Sequence, residues 1–409
     1  MRGSGVLVLI VACSGGLGSA FGMMVRQTTA PTVESLLVRG RAELDRGRAD
    51  AALTLWMGEA PKLVDSTEVW FEAGVVARRL GRHSEAASAF ERVPRESPLW
   101  RDSVGELGLA CLSLGELDEA ERLLREAIRL RSASPAARNE LRWLCFNTFR
   151  QREVERLLLD SLASEPDNFQ TLIDLHLAEF RKQLPREGRP FLDQVDARVP
   201  GQVSVLRGLA WCDWHTGDQT AARDRFAQAL DAAPSDPETR LMAAEWALEQ
   251  GRDAVCRKLL LLDDEGSPHF RPDENGGPMK STFEADDRYW GMLGQLERAA
   301  GHPDPAESHF SRAMAARPSE QAWVHQRGLS RRDAGRKLEA ESDFAEARNL
   351  ERAQSQMAEL VFGGLVESPT TASAARMAAL CEQRRQSLAA DCWRRWASRV
   401  PSSAPSAPR

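Results

Sequence analysis

LGRHSEAASAF, Leu80 to Phe90, is followed 34 residues later by LGELDEAERLL, Leu114 to Leu124. Both stretches set a glycine after a leucine, then a polar run, then an alanine five places beyond the glycine. Recurrence at a fixed interval is the mark of a repeat array, in which each unit is too small to bury its own apolar face and does so by stacking on the next.

Counting outward from that glycine gives a register for most of the chain. Thr67 to Trp100 carries Trp70, Gly74, Ala77, Gly81, Ala86, Phe90 and Pro98 at places 4, 8, 11, 15, 20, 24 and 32. Arg101 to Ser134 and Val203 to Asp236 repeat the pattern, and Val33–Ser66, Pro135–Asn168, Phe169–Gln202 and Pro237–Phe270 fill the frames between and beside them. After an insertion at 271–286 the count resumes from Asp287 to Glu320 with Trp290, Gly294, Gly301, Ala306, Phe310, Ala313 and Pro318. Gln321 to Gln354 follows, and a weaker copy runs from Thr370 to Ser403 with Trp393. Small residues at 8 and 20 let two helices approach, large ones at 4 and 24 fill the gaps, and glycine at 15 permits the turn.

Place by place this resembles the tetratricopeptide repeat. The resemblance implies an all-α superhelical solenoid of about ten helix-turn-helix units. Helix A would hold places 1 to 14 and helix B places 15 to 28. The expected organisation is a signal or anchor and linker at 1–32, seven contiguous units at 33–270, an insertion loop at 271–286, two units at 287–354, and a C-terminal helix with a degenerate unit at 355–403. The tail at 404–409 is expected to be disordered. Because each unit should touch only its neighbours, the body is expected to be elongated. Phe149 and Gln183 stand where two central units should have glycine, and Pro185 would break a helix B begun at place 15.

Composition narrows the function. A charged fraction of 28%, mixed in sign, a net charge of −6 and the absence of a basic block give no reason to expect nucleic acid. Seven cysteines form no CxxC pair, which excludes the common zinc, thioredoxin-like and haem-attachment motifs. Cys111 and Cys145, one repeat apart, are expected as free buried thiols, because neighbouring helix axes lie too far apart for a disulfide. No HExxH, GxSxG or phosphate-binding loop occurs, so no catalytic residue, cofactor, metal or small-molecule substrate is assigned. His269, Asp263, Asp264, Asp273 and Glu274 near the insertion are the only candidate metal ligands, and solvated loop acids are the plainer reading. An enzyme would need an unrecognised site near that insertion.

Gly5 to Val25 is an uncharged apolar run long enough to cross a bilayer as a helix. Three readings compete. Ser14, Gly18 and Gly22 form a small-residue face on which two anchor helices could pack. Gly18 and Ala20 fit signal cleavage after Ala20, and Ile10 to Cys13 resembles a bacterial lipobox. An extracytoplasmic, periplasmic body is favoured under each.

In the family the concave face is lined by places 2, 5, 9, 12 and 13 of helix A. The resemblance therefore implies a groove for a partner segment formed by Trp143, Phe146, Phe180, Trp211 and Trp214 with Arg181, Arg207 and His215, its arginines meeting acidic groups of the partner. The protein is expected to be a membrane-tethered adaptor for other proteins or peptides. The alternative is a structural or assembly factor of an envelope complex.

Overall fold

The computed structural model describes residues 32–180, 184–261, 279–365 and 370–399, without the side chains at 179–180, 279–281 and 399. Gly5–Val25, with Ser14, Gly18 and Gly22, lies outside the described residues, as do Arg181, the acids and His269 at the insertion, and the C-terminal tail. No strand occurs among the described residues.

The helices come in antiparallel pairs. The first pairs are α1 (Val33–Asp45) with α2 (Ala49–Glu59), α3 (Thr67–Arg79) with α4 (His83–Phe90), α5 (Trp100–Leu114) with α6 (Leu117–Arg129), and α7 (Pro135–Asn147) with α8 (Gln151–Ser164). Then come α9 (Phe169–Phe180), α10 (Pro185–Arg198), α11 (Val203–Thr216), α12 (Gln219–Ala232), α13 (Pro237–Glu249), α14 (Asp253–Leu259) and the short α15 (Met279–Glu284). The C-terminal part is α16 (Asp287–Ala299), α17 (Pro303–Ala316), α18 (Gln321–Asp333), the long α19 (Lys337–Leu360), α20 (Thr371–Gln383) and α21 (Ser387–Arg399).

Five of the pairs lock by inserting the residue at place 24 into the gap left by glycine at place 8. A β-carbon added to Gly74 would come within 2.7 Å of the Phe90 ring, and one added to Gly294 equally close to Phe310. Trp56 fills the corresponding space over Gly40 and donates its indole N–H to the Leu36 carbonyl at 3.0 Å. The turn residue at place 15 is left-handed throughout the regular pairs, and helix B begins at place 17, not at 15 as expected from the sequence, because a left-handed residue cannot start a helix. Pro185 falls on that place 17, so it opens α10 rather than breaking it. Phe149 adopts the left-handed turn without glycine, at φ 60°. Arg385 does so in the last pair, one residue later than the frame counted from Thr370.

The stack departs from an open solenoid at its middle. α9 packs on α8, but α10 leaves α9 and packs on α11 and α7. The place beside α8 and α9 is taken instead by α21, from the other end of the chain. Continuous packing then runs from α8 through α21, α20, α19, α18, α17, α16 and α13 to α11 and α10, and back to α7. The expectation of an elongated body in which each unit touches only its neighbours is thereby corrected. Six to seven helix pairs close into a ring, and α1 to α6 form an arm attached to it.

Two seams hold the closure. At one, Trp393 is fully buried and its indole N–H donates to His176 Nε2 at 2.8 Å, while Phe169 stacks on Trp396 with centroids 4.7 Å apart. Beside the other, where α10 meets α7, Asp118 at the start of α6 ties the arm to the ring by accepting the backbone N–H groups of Val203 and Ser204 at 2.7 and 3.0 Å. Asp118 thus caps a helix that begins 85 residues later, satisfying donors that α11 could not satisfy itself. Cys111 and Cys145 are free, buried thiols, with burial pushing both up to about 12.

Candidate functional site

Closure of the ring leaves an interior cavity of about 480 Å³ between α8, α11, α13, α16 and the end of α17. That volume lies within the range of ligand pockets. Its inner wall is made largely by helix-A positions: Glu238, Glu245 and Glu249 stand at places 2, 9 and 13 of their unit, Trp211, Trp214 and His215 at 9, 12 and 13 of theirs, and Arg288 at place 2.

One wall is aromatic. Phe149 stacks on Trp211 with centroids 4.1 Å apart and planes 16° from parallel, and Trp211 stacks on His215 at 3.9 Å. His215 Nδ1 lies 3.0 Å from the Trp211 carbonyl, fixing the imidazole against the indole. The left-handed backbone at Phe149, costing on the order of 1 kcal/mol, is offset by this stacking. Trp214 closes the stack at its edge and donates its N–H to Glu249 Oε2 at 3.0 Å.

The remaining walls are ionic, with eight carboxylates and five guanidiniums. Arg150, almost fully buried, donates to Glu121 at 2.5 and 2.7 Å, and Arg125 reaches the same carboxylate at 2.6 Å. Burial would raise the Glu121 carboxyl, but the two guanidiniums outweigh it and hold it far below the usual carboxylate range. Arg288 grips Glu238 with two bonds of 3.0 and 2.8 Å and also donates to Asp286. Burial opposes this too, and Arg288 still brings Glu238 down to about 2. Arg317 meets Glu155 at 2.5 Å across 162 positions, tying α17 to α8.

Glu245 is different. Its guanidinium neighbours stand off, Arg152 at 3.8 Å and Arg288 at 3.9 Å, and a third of its side chain stays open to the cavity. Burial therefore prevails and pushes this carboxyl above the usual range.

The residues expected to form one groove are divided by the fold. Trp211, Trp214 and His215 line the cavity. Trp143 does not: it is 43% exposed and meets Phe191 edge-on at 5.0 Å in a separate hollow between α7 and α10. Phe146 is half-buried against the core, and the Phe180 side chain and Arg181 lie outside the described residues. Arg207 turns away from the open face and is buried, donating to Asp236 at 2.7 Å. It is held by Asp236, so the expected contact with a partner's acid is corrected. Sequence reasoning passed over Glu245 and Glu249, although places 9 and 13 marked them, because acids on a solvated helix face are common. It noted Phe149 only as an irregular turn residue. Arg152 and Arg317 carried no signal, since helix-B positions, and the residue that follows one, reach the interior only when the ring closes. Among the described residues no group of histidine, cysteine and acidic side chains is arranged to hold a metal, and no helix is long and apolar enough to cross a membrane.

Residues 37–99 and 71–137 match the family model of the tetratricopeptide repeat, so the arm and the start of the ring are built of these repeats. No curated protein matches the chain. Among solved structures the chain is similar to a tetratricopeptide repeat protein from Parabacteroides merdae ATCC 43184, at 13% identity over 73% of this chain and 98% of that one, with a TM-score of 0.30. It is similar to MamA from Desulfovibrio magneticus RS-1 at 16% identity, over 45% and 96% of the two chains, with a TM-score of 0.34. It is also similar to human IFIT1 in a dimer with PPP-AAAA, at 14% identity over 91% of each chain, with a TM-score of 0.35. Likeness this slight transfers no ligand or partner.

Proposed function

We propose that the protein is a binding scaffold that holds a segment of another polypeptide in the ring's interior, tethered to a membrane by Gly5–Val25 with its body outside the cytoplasm. One observation carries the binding reading: ring closure sets the stacked indole of Trp211 beside an open, charged cavity. Partly open aromatic side chains in a concave site are the usual anchors of a bound segment. The repeats themselves support a scaffold rather than a catalyst, and no catalytic step is proposed. The tether rests on the apolar run alone.

Affinity capture from native membranes followed by mass spectrometry tests both parts. Trp211→Ala, checked for native circular dichroism, is expected to lower partner recovery by an amount equivalent to about 2 kcal/mol, and unchanged recovery would overturn the binding reading. The full chain should sediment with membranes while a chain beginning at Thr32 remains in the supernatant. A soluble full-length protein that retains its first 25 residues would end the tether.

A further inference from the structure

We infer that the segment received by the cavity is basic, with an arginine or lysine side chain pairing with Glu245 and Glu249. This rests on the reading of the cavity as a polypeptide site and adds the chemistry of its occupant.

Three observations lead there. The lining carries eight carboxylates against five guanidiniums, so the cavity has a negative balance before anything enters. Its cations are committed: Arg150, Arg288 and Arg317 each hold a carboxylate at 2.8 Å or less, Arg156 holds Glu153 at 3.0 Å and Arg152 lies 3.4 Å from Asp287, leaving little positive charge for an acidic ligand. The unfilled capacity lies on α13, where Glu245 and Glu249 are one helical turn apart and face the same way. Glu245 is reached only at 3.8 Å or beyond, and among the described residues no guanidinium or ammonium lies within 4.0 Å of Glu249, whose one recorded donor is the Trp214 indole.

A guanidinium suits a pair of carboxylates better than a point charge does, because its planar fork donates to both. The reading of the cavity as a polypeptide site makes that cation a side chain rather than a free amine.

The test is fluorescence polarisation on the full chain with a labelled nonapeptide of alternating glycine and arginine, its glutamate counterpart, and spermidine as competitor. The arginine peptide should bind, weaken at least tenfold in Glu245→Gln/Glu249→Gln, and weaken with salt less steeply in that variant. Glu249→Gln alone, at an exposed position, should give a smaller loss in the same direction. The glutamate peptide should not bind, and spermidine should compete only at far higher concentration. Equal binding by wild type and the double variant, tighter binding of the glutamate peptide, no binding of the arginine peptide, or spermidine binding as tightly as the peptide would each overturn the inference. If Trp211→Ala loses a natural partner while the double variant captures it normally, the scaffold reading stands and the basic occupant falls. If Trp211→Ala captures it normally as well, both fall.

Discussion

Trp393 donates its indole N–H to His176 Nε2 at 2.8 Å, although the two are 217 positions apart in the chain. The bond is wholly buried and joins α21 to α9, so it sits on the seam where the ring closes. Trp393→Ala removes the bond and leaves a large void between Phe169 and the core. It should cost about 3–5 kcal/mol, the usual range for a buried tryptophan. Hydrogen exchange should rise across 370–399 before it rises in the arm, and small-angle scattering should show a larger radius as the hairpin leaves α8. Uniform destabilisation with the hairpin still protected would mean that Trp393 is ordinary core.

The same bond makes closure sensitive to acid. Burial, helped by the Arg384 charge, holds His176 down at about 3, so the imidazole is neutral and its Nε2 can accept. Cys381, 4.0 Å away, also faces it and is pushed up to about 12. Between the unfolded histidine value and the folded one the unfolded chain binds the extra proton, so stability is present above pH ~6.5 and is lost as pH falls toward 3. From pH 7 to pH 5 this one group should remove about 2 kcal/mol. His176→Gln, which keeps an acceptor without a proton site, should flatten that slope when denaturant unfolding is followed at several pH values.

Glycine serves two purposes in the regular repeat Thr67 to Trp100, and alanine should separate them. Gly74→Ala places a methyl group within 2.7 Å of the Phe90 ring and should cost about 1–3 kcal/mol through overpacking. Gly81→Ala meets nothing within 4 Å and pays only for its φ of +72°, about 1 kcal/mol. Thermal unfolding of the two variants should rank them in that order.

Arg207 is a structural cation. Arg207→Ala should destabilise by about 1.5–3 kcal/mol, the range for a hydrogen bond to a charged group, because it strips Asp236 of a 2.7 Å partner at the start of α13. Captured partners should be recovered at wild-type strength from the fraction that folds. Selective loss of a partner at unchanged stability would return Arg207 to the binding surface.

How much of this was legible beforehand follows from the reach of each interaction. The 34-residue period, the helix pairs, the Trp56, Phe90 and Phe310 insertions and the left-handed turns all arise between residues less than one repeat apart. Spacing of residue types alone encodes them. The concave places are also local, which is why Trp211, Trp214 and His215 could be named in advance and why Glu245 and Glu249 stood at marked places. What the register cannot encode is the sum of many small rotations between successive pairs. That sum decides whether α21 meets α8 and α9 or points into solvent, and it depends on where α10 leaves α9. Hence the sequence alone determined the repeat, its core and its turn chemistry. Only the tertiary structure decided that Asp118 caps α11, that Trp393 meets His176, that Arg207 is paired inward, and that Trp143 and Trp211 lie in different hollows. Each of those contacts joins elements whose separation in space is set by the whole curvature of the stack rather than by any one unit.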